Sequence, residues 1–156
     1  MPDDLYETDV LVWSERQGQL LRRLAAGERV NADVDWDNVI EEIECVGRSE
    51  LHRCESLLRQ ALVHLLRIRA WPSAPSVAHW RGEVVGFLAD AKRSYAASMR
   101  HRLDLNDIFA HALRQVRLGA DESDRPDPLM ETCPYALDDL FAEKPDIRAL
   151  VAKLSA

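Results

Sequence analysis

Glycine, proline and cysteine are scarce in this 156-residue sequence, and each scarcity argues against a class of protein. The six glycines and seven prolines lie mostly outside the segments with periodic hydrophobicity, which favours helices over a turn-rich β fold. Three cysteines, Cys45, Cys54 and Cys133, form no CxxC pair. On a helix, Cys45 and Cys54 lie on nearly opposite faces and cannot bridge each other. Because an odd total suits a reducing compartment, we expect buried or inert thiols.

Long apolar runs are also lacking. No run approaches the roughly 18 residues needed to cross a bilayer. The first ten residues, MPDDLYETDV, contain acids and no apolar core of a secretory signal. We therefore expect a cytoplasmic protein with no membrane segment.

Motifs that bind metals or phosphates are missing as well. The sequence contains no Glu-x-x-His pair, no HExxH, no GxxxxGK[ST] and no G-x-S-x-G. Its five histidines never recur at the i,i+4 spacing of one helical face. These patterns predict no cofactor and no metal, and they leave open whether the protein is an enzyme.

Charge is unevenly distributed along the chain, whose net charge is −7. Residues 1–50 carry −8, residues 51–118 carry +6 and residues 119–156 carry −5. The stretch KRSYAASMRHR could contact phosphates through Arg93, Arg100 and Arg102. We favour neutralisation of the basic middle by the acidic ends, because net acidity opposes approach to a polyanion. Nucleic-acid binding stays an alternative.

Hydrophobic periodicity predicts four main helices. The first begins near Thr8 or Asp9 and ends before Gly27, the second runs from Asp35 to about Ala70, and the third follows Ser76 with Tyr95 and Met99 on its apolar stripe. The fourth covers DIFAHALRQVRLG, and the tail offers two short helices. The predicted fold is all-α: an antiparallel helical bundle forming a single domain over residues 1–156.

The long second helix has an apolar stripe centred on Ile43 when residues are placed at about 100° intervals. The predicted inward positions are Trp36, Val39, Ile40, Ile43, Val46, Gly47, Cys54, Leu57, Leu58, Ala61, Leu65 and Ile68. Glu41, Glu44 and Arg48 fall on the opposite side, and the order of Glu44 and Arg48 favours an i,i+4 ion pair. Most acids of DWDNVIEEIECVGRSE are therefore expected to face solvent.

Glu50 is the exception, because it lies near the centre of this stripe. A buried carboxylate needs a hydrogen-bond donor. Folding the helices back around residues 73 and 30 or 31 places Glu50 level with Tyr95 and close to Trp13, with Tyr6 nearby. We expect these residues to form a buried polar node that fixes helix register. A metal or catalytic site using Glu50 and a histidine from a neighbouring helix is the alternative.

His64 lies on the flank of the same stripe. The same folding places it near Trp80 and Arg81, where a histidine is usually part of the core or its edge. A role as a metal ligand is the less favoured interpretation.

Four segments resemble the bacterial family known as domain of unknown function 29. They are YETDVLVW, DWDNVIEEIECVGRSE, LVHLLR and CPYALDDLF. The resemblance implies an all-helical, single-domain, mostly bacterial protein with no assigned activity and no catalytic residues to transfer. Between Leu88 and Asn106 the chain departs from the family, because KRSYAASMRHRLDL looks more continuously helical than the Ser-Pro break expected there.

The sequence therefore favours a non-enzymatic module that binds another protein or itself, in an interaction or regulatory role. The two alternatives are an enzyme or metal-binding protein using Glu50, and a nucleic-acid binder using arginines of the third and fourth helices.

Overall fold

The structure is a computed structural model that describes residues 5–155, and every regular element in that range is helical. The α-helices are α1 (Leu5–Thr8), α2 (Val10–Ala25), α3 (Trp36–Ala70), α4 (Val77–Ser94), α5 (Leu105–Leu118), α6 (Leu137–Leu140) and α7 (Ile147–Ala152). Short 3-10 turns cover Asn31–Asp33 and Ala97–Met99. The all-α prediction, with four main helices and short C-terminal ones, is confirmed. Part of MPDDLYETDV, on which the expectation about a secretory signal depends, lies outside the described residues.

The ends of α2 follow local chemistry that the sequence predicts. Asp9 caps its first turn, since its Oδ1 accepts the Val12 N–H at 3.1 Å. After the helix, Gly27 has φ 89°, in the left-handed region that favours glycine. Both predicted boundaries of this helix are confirmed.

The described chain divides between Arg48 and Ser49 into two compact units, while α3 remains helical across that boundary and through Gly47. We call them the N-terminal unit and the C-terminal unit. The single-domain expectation stays a prediction, which unfolding experiments can test.

The C-terminal unit contains the larger core. The second half of α3 contributes its stripe, including Cys54, Leu58, Ala61 and Leu65, all fully buried. Leu88 of α4, Phe109 of α5 and Leu140 of α6 belong to the same contiguous cluster of buried residues. Burial raises the pKa of the Cys54 thiol to about 11, so this thiol stays protonated and unreactive at neutral pH.

The path of α3 and α4 confirms the predicted fold-back around residue 73. Cys54 Sγ donates to the carbonyl of Ala91 at 3.6 Å, and these positions are nearly equidistant from residue 73. The prediction that the third helix continues through Tyr95 and Met99 is wrong, because α4 ends at Ser94 and Tyr95 has an extended backbone. Met99 is buried from a 3-10 turn and not from the helical stripe. The interruption sets the Tyr95 ring 4.9 Å from Phe141, so tertiary packing overrides the helical pattern.

The N-terminal unit has a small core of its own, made by Trp13, Leu20, Val30, Val34 and Val39. Val34 and Val39 lie on either side of the start of α3 and pack in this core as a hydrophobic staple. This core uses only one flank of the α3 stripe, and the other flank is open.

Candidate functional site

The first half of the α3 stripe is exposed to solvent. Ile40, Ile43 and Val46 keep 51%, 67% and 66% of their surface exposed, and Trp36 keeps 37%. The prediction that these four side chains point into a core is therefore wrong. We call Trp36, Ile40, Ile43 and Val46 the open stripe. Soluble proteins seldom leave such a contiguous apolar row uncovered unless it contacts another molecule.

Burial on the other flank explains why the stripe stays open. Val39 packs into the small core with Trp13 of α2. Neighbours that pack on one flank of a helix bury only that side of a broad apolar face. Among the described residues of the N-terminal unit, no element covers the remaining side, which is centred on Ile43.

The predicted buried node around Glu50 does not form. Glu50 is exposed, and the Trp13 indole donates instead to Asp35 Oδ2 at 3.0 Å. Asp35 lies about four helical turns before Glu50 on α3. The prediction failed because it counted the residues between α2 and α3 as extensions of the two helices. In the structure α2 ends at Ala25 and α3 begins at Trp36, and the residues between them belong to neither helix. Trp13 is consequently level with the start of α3.

The other two members of the predicted node also have different partners. The Tyr6 hydroxyl donates to Glu42 Oε1 at 2.7 Å, and this hydrogen bond, with partial desolvation, raises the Tyr6 pKa to about 12. The Tyr6 and Trp13 rings make an edge-on contact with centroids 4.8 Å apart. Tyr95 belongs to the C-terminal unit and packs on Phe141.

A polar network that the sequence did not reveal surrounds Asp35. Its Oδ2 accepts from Asn38 Nδ2 at 2.8 Å as well as from Trp13, and its backbone N–H donates to Gln17 Oε1 at 2.9 Å. The Asp35 carboxylate is stabilised, and its pKa lowered, chiefly by the Asn38 side chain. Trp13 and the Asn38 backbone N–H contribute in the same direction. Gln17 is buried. Its position one turn from Trp13 and close to Leu20 was the available signal, because it places an amide on the inner face of α2.

The charged edge beside the open stripe agrees with the sequence prediction. Arg48 Nη1 lies 3.6 Å from Glu44 Oε2, the predicted i,i+4 pair, and Arg48 Nη2 donates to Glu41 Oε1 at 2.6 Å. All three side chains are about half exposed. Such pairs contribute at most about 1 kcal/mol each. Their arrangement leaves this edge acidic overall, since Asp37 adds another carboxylate.

His64 has different neighbours from those predicted. Its ring lies 5.5 Å from that of Phe87, and its Nδ1 is 2.8 Å from the Gln60 carbonyl. Helical side chains lean towards the N-terminus of their own helix, which moves the ring away from the level of Trp80 and Arg81. Trp80 packs against the main core, and Arg81 is exposed.

A polar groove in the C-terminal unit collects several titratable side chains. It has a volume of about 320 Å³ and lies between α3 and α5. The lining residues are His52, Glu55, Ser56, Arg59, Asp104, Asp107, Ile108 and His111. Each histidine already faces a carboxylate of its own helix, His52 with Glu55 at 3.1 Å and His111 with Asp107 at 3.6 Å. Across residues 5–155, no three His, Cys, Asp or Glu side chains come together in a way that could hold a metal ion.

The basic middle of the chain is partly neutralised by the acidic tail. Arg100 donates to Asp138 at 2.9 Å, and Arg117 donates to Glu131 at 3.1 Å through Nη1. Arg69 lies 3.7 Å from Asp127. These pairs favour the intramolecular interpretation of the charge pattern over a nucleic-acid surface.

The fold and these sites define a class of small all-α protein whose longest helix carries an uncovered apolar row. This chain belongs to the family described as Domain of unknown function DUF29, whose pattern matches residues 5–144. The resemblance inferred from the sequence is thereby confirmed.

A solved structure is similar over nearly the whole chain. It is the crystal structure of an alpha-helical protein of unknown function from Rhodospirillum rubrum, with 33% sequence identity and a TM-score of 0.74. The match covers 97% of this chain and 98% of that one. No curated protein matches the chain significantly. Among the helices of residues 5–155, none has the length and apolarity that crossing a membrane requires.

Proposed function

We propose that this protein is a bacterial cytoplasmic interaction module that self-associates through the open stripe of α3. The observation that carries the proposal is the exposure of Ile40, Ile43 and Val46 in one helical row. The relative from Rhodospirillum rubrum supports a bacterial origin. In the described residues the three cysteines form no disulfide, which supports a reducing compartment.

Residue spacing supports pairing with a second copy. Trp36, Ile40, Ile43 and Gly47 are separated by four, three and four residues, the spacing of a coiled-coil seam. If two copies of α3 pair in antiparallel orientation about a twofold axis between Ile40 and Ile43, each Ile40 faces Ile43 of the second copy. Each Trp36 then faces Gly47 of the second copy.

Gly47 offers the space that this arrangement needs. A Cβ added there would have no heavy atom within 4 Å. The Trp36 indole is held in place because its Nε1 donates to the Asn31 carbonyl at 3.1 Å. A large flat ring opposite a glycine is the alternation of large and small side chains that facing helices require.

Charge and area are compatible with a modest dimer. Arg48 of one copy lies near Asp37 of the other in this register, which offsets part of the repulsion between two acidic edges. From the exposed fractions, the open stripe presents roughly 400 Å² of apolar surface per copy. Two copies together would bury roughly 800 Å² of this surface, the size of a weak and transient interface, and a Kd on the order of 10 μM is expected.

Sedimentation velocity between 2 and 200 μM, about the expected Kd, tests the proposal. The wild-type chain should shift from monomer to dimer, and Ile43→Asp should stay monomeric at every concentration. Leu118→Asp is the matched control, because Leu118 is 81% exposed on α5 and lies outside the stripe; it should dimerise like wild type. Dimerisation that persists in Ile43→Asp, or a wild-type chain that stays monomeric throughout, contradicts the proposal.

The effect of salt concentration distinguishes self-association through the open stripe from binding of a basic partner. Self-association of two acidic chains through apolar contacts should hold or tighten as salt rises, since screening reduces their repulsion. Binding of a basic helix to the same stripe would weaken under the same change.

A further inference from the structure

A second cavity, in the C-terminal unit, combines apolar walls with arginines. It has a volume of about 220 Å³ and lies where the end of α3, the start of α4 and α7 meet. Its lining residues are Ile68, Arg69, Pro72, Val77, Arg81, Ile147, Arg148 and Val151. Three guanidinium groups and five apolar side chains therefore share one small space.

The cationic groups of this cavity are only weakly satisfied by the protein itself. Arg69 lies 3.7 Å from Asp127, beyond hydrogen-bond distance, and its Nε is buried without a hydrogen-bond partner in the described part of the chain. Within the same residues, neither Arg81 nor Arg148 has an ion-pair partner. Guanidinium groups left this way near a cavity are suited to an anion, which they can bind with two parallel hydrogen bonds.

The helix ends around the cavity add to this preference. Val77, the first residue of the 18-residue helix α4, lines it, so the positive end of that helix dipole lies at its edge. The carbonyl of Ala70, at the negative end of α3, accepts the Asp127 N–H at 2.9 Å. One carbonyl at the negative end of α3 is thereby satisfied within the protein.

The apolar walls restrict what kind of anion fits. Ile68, Val77, Ile147 and Val151 cannot hydrogen-bond through their side chains, so a fully hydrated inorganic ion would lose water contacts against them. An alkyl or aryl group would gain from the same contacts. The volume equals that of about seven waters, which limits the ligand to roughly ten non-hydrogen atoms.

We propose that this cavity binds a small amphiphilic anion: a carboxylate or phosphate monoester with a short apolar group, its charge held by Arg69, Arg81 and Arg148. The site is separate from the open stripe and is independent of self-association. Both acid types share the recognition chemistry, and the experiment distinguishes them.

Isothermal titration of the full-length protein with four probes tests the site: hexanoate, hexyl phosphate, inorganic phosphate and hexylammonium. Either hexanoate or hexyl phosphate should bind with one-to-one stoichiometry. Inorganic phosphate should bind at least tenfold more weakly than the better of these, and hexylammonium should not bind. Failure of both amphiphilic anions to bind, or equal binding of the ammonium probe, overturns the proposal.

Matched variants locate the binding. Arg81→Gln, at an exposed position where the change should leave the fold intact, should weaken the better probe at least tenfold, and Arg81→Lys should restore part of the loss. Arg93→Gln is the control, because Arg93 is also exposed on α4 but does not line the cavity. Val151→Ser should weaken the alkyl probes and leave inorganic phosphate unchanged. Unaltered affinity in Arg81→Gln places the binding elsewhere and overturns the assignment.

Discussion

Removing the Asp35 carboxylate should destabilise the protein far more than removing the Glu50 carboxylate. Asp35 Oδ2 accepts from Trp13 Nε1 at 3.0 Å and from Asn38 Nδ2 at 2.8 Å, and Trp13 is buried. Asp35→Ala leaves the indole N–H without its acceptor, which costs about 1–3 kcal/mol. It also removes the N-cap carboxylate of α3, which accepts the Asn38 backbone N–H, and this loss costs about 1 kcal/mol. The expected loss is therefore about 2–4 kcal/mol. Glu50→Ala, at an exposed site, should change stability by less than about 0.5 kcal/mol.

Urea unfolding followed by circular dichroism measures this difference. With a slope of about 2 kcal/mol per molar urea, the midpoint of Asp35→Ala should fall by about 1–2 M, while that of Glu50→Ala stays at the wild-type value. Asp35→Asn should lie between them, because its amide oxygen still accepts one hydrogen bond. Equal midpoints for Asp35→Ala and Glu50→Ala would refute the assignment of the network.

The pH dependence of the same difference has a definite sign. The folded-state pKa of Asp35 is lowered below its usual value of 3.8, so the carboxylate stabilises the fold above that value. The contribution is lost as the pH falls through the folded-state pKa. Wild-type and Asp35→Asn midpoints should therefore converge as the pH is lowered below 3.8. A gap that widens towards acid would contradict this reasoning.

The remaining predictions concern the cores and the backbone. Leu65→Ala, at a fully buried position, should cost about 2–5 kcal/mol, whereas Ile43→Ala on the open stripe should change the monomer by less than about 0.5 kcal/mol in urea. Gly27→Ala should cost about 1 kcal/mol because Gly27 has φ 89°, and a lower thermal midpoint checks it. Gly86→Ala, in the interior of α4 with open space at its Cβ, should instead raise the free energy of unfolding by about 0.5–1 kcal/mol, seen as a higher thermal midpoint. Because α3 is continuous through both units, fluorescence and circular dichroism should report one coincident unfolding transition; two separate transitions would contradict the single-domain expectation.

Local chemistry made much of the fold predictable. Asp9 and Gly27 mark the ends of α2, and the prolines after Ala70 end α3, because caps, positive φ and the missing proline N–H act within one turn. The level of Cys54 against Ala91 was predictable because α3 and α4 are joined by a short turn. Both helices continue almost up to this turn, so residues equally far from it lie at the same level.

The candidate site depended on features that a helical wheel does not contain. The wheel places Ile43 and Glu50 on one stripe, yet it cannot tell which part of a 35-residue helix has a neighbour to cover it. The fold-back count also failed for Trp13, since the connection after α2 includes a 3-10 turn and does not extend the helices symmetrically. The arginine cavity joins residues far apart in sequence, so no local spacing indicates it.

Cross-linking between two variants, each with one introduced cysteine beside the buried Cys54, tests most directly whether α3 pairs antiparallel with a second copy. In a background lacking Cys45 and Cys133, Trp36→Cys mixed with Gly47→Cys should give a covalent heterodimer with a short thiol cross-linker. Each variant alone should give little product, because like positions would lie about 16 Å apart along the paired helices. Efficient cross-linking of Trp36→Cys to itself, without any covalent heterodimer in the mixture, would indicate parallel pairing and contradict the antiparallel arrangement.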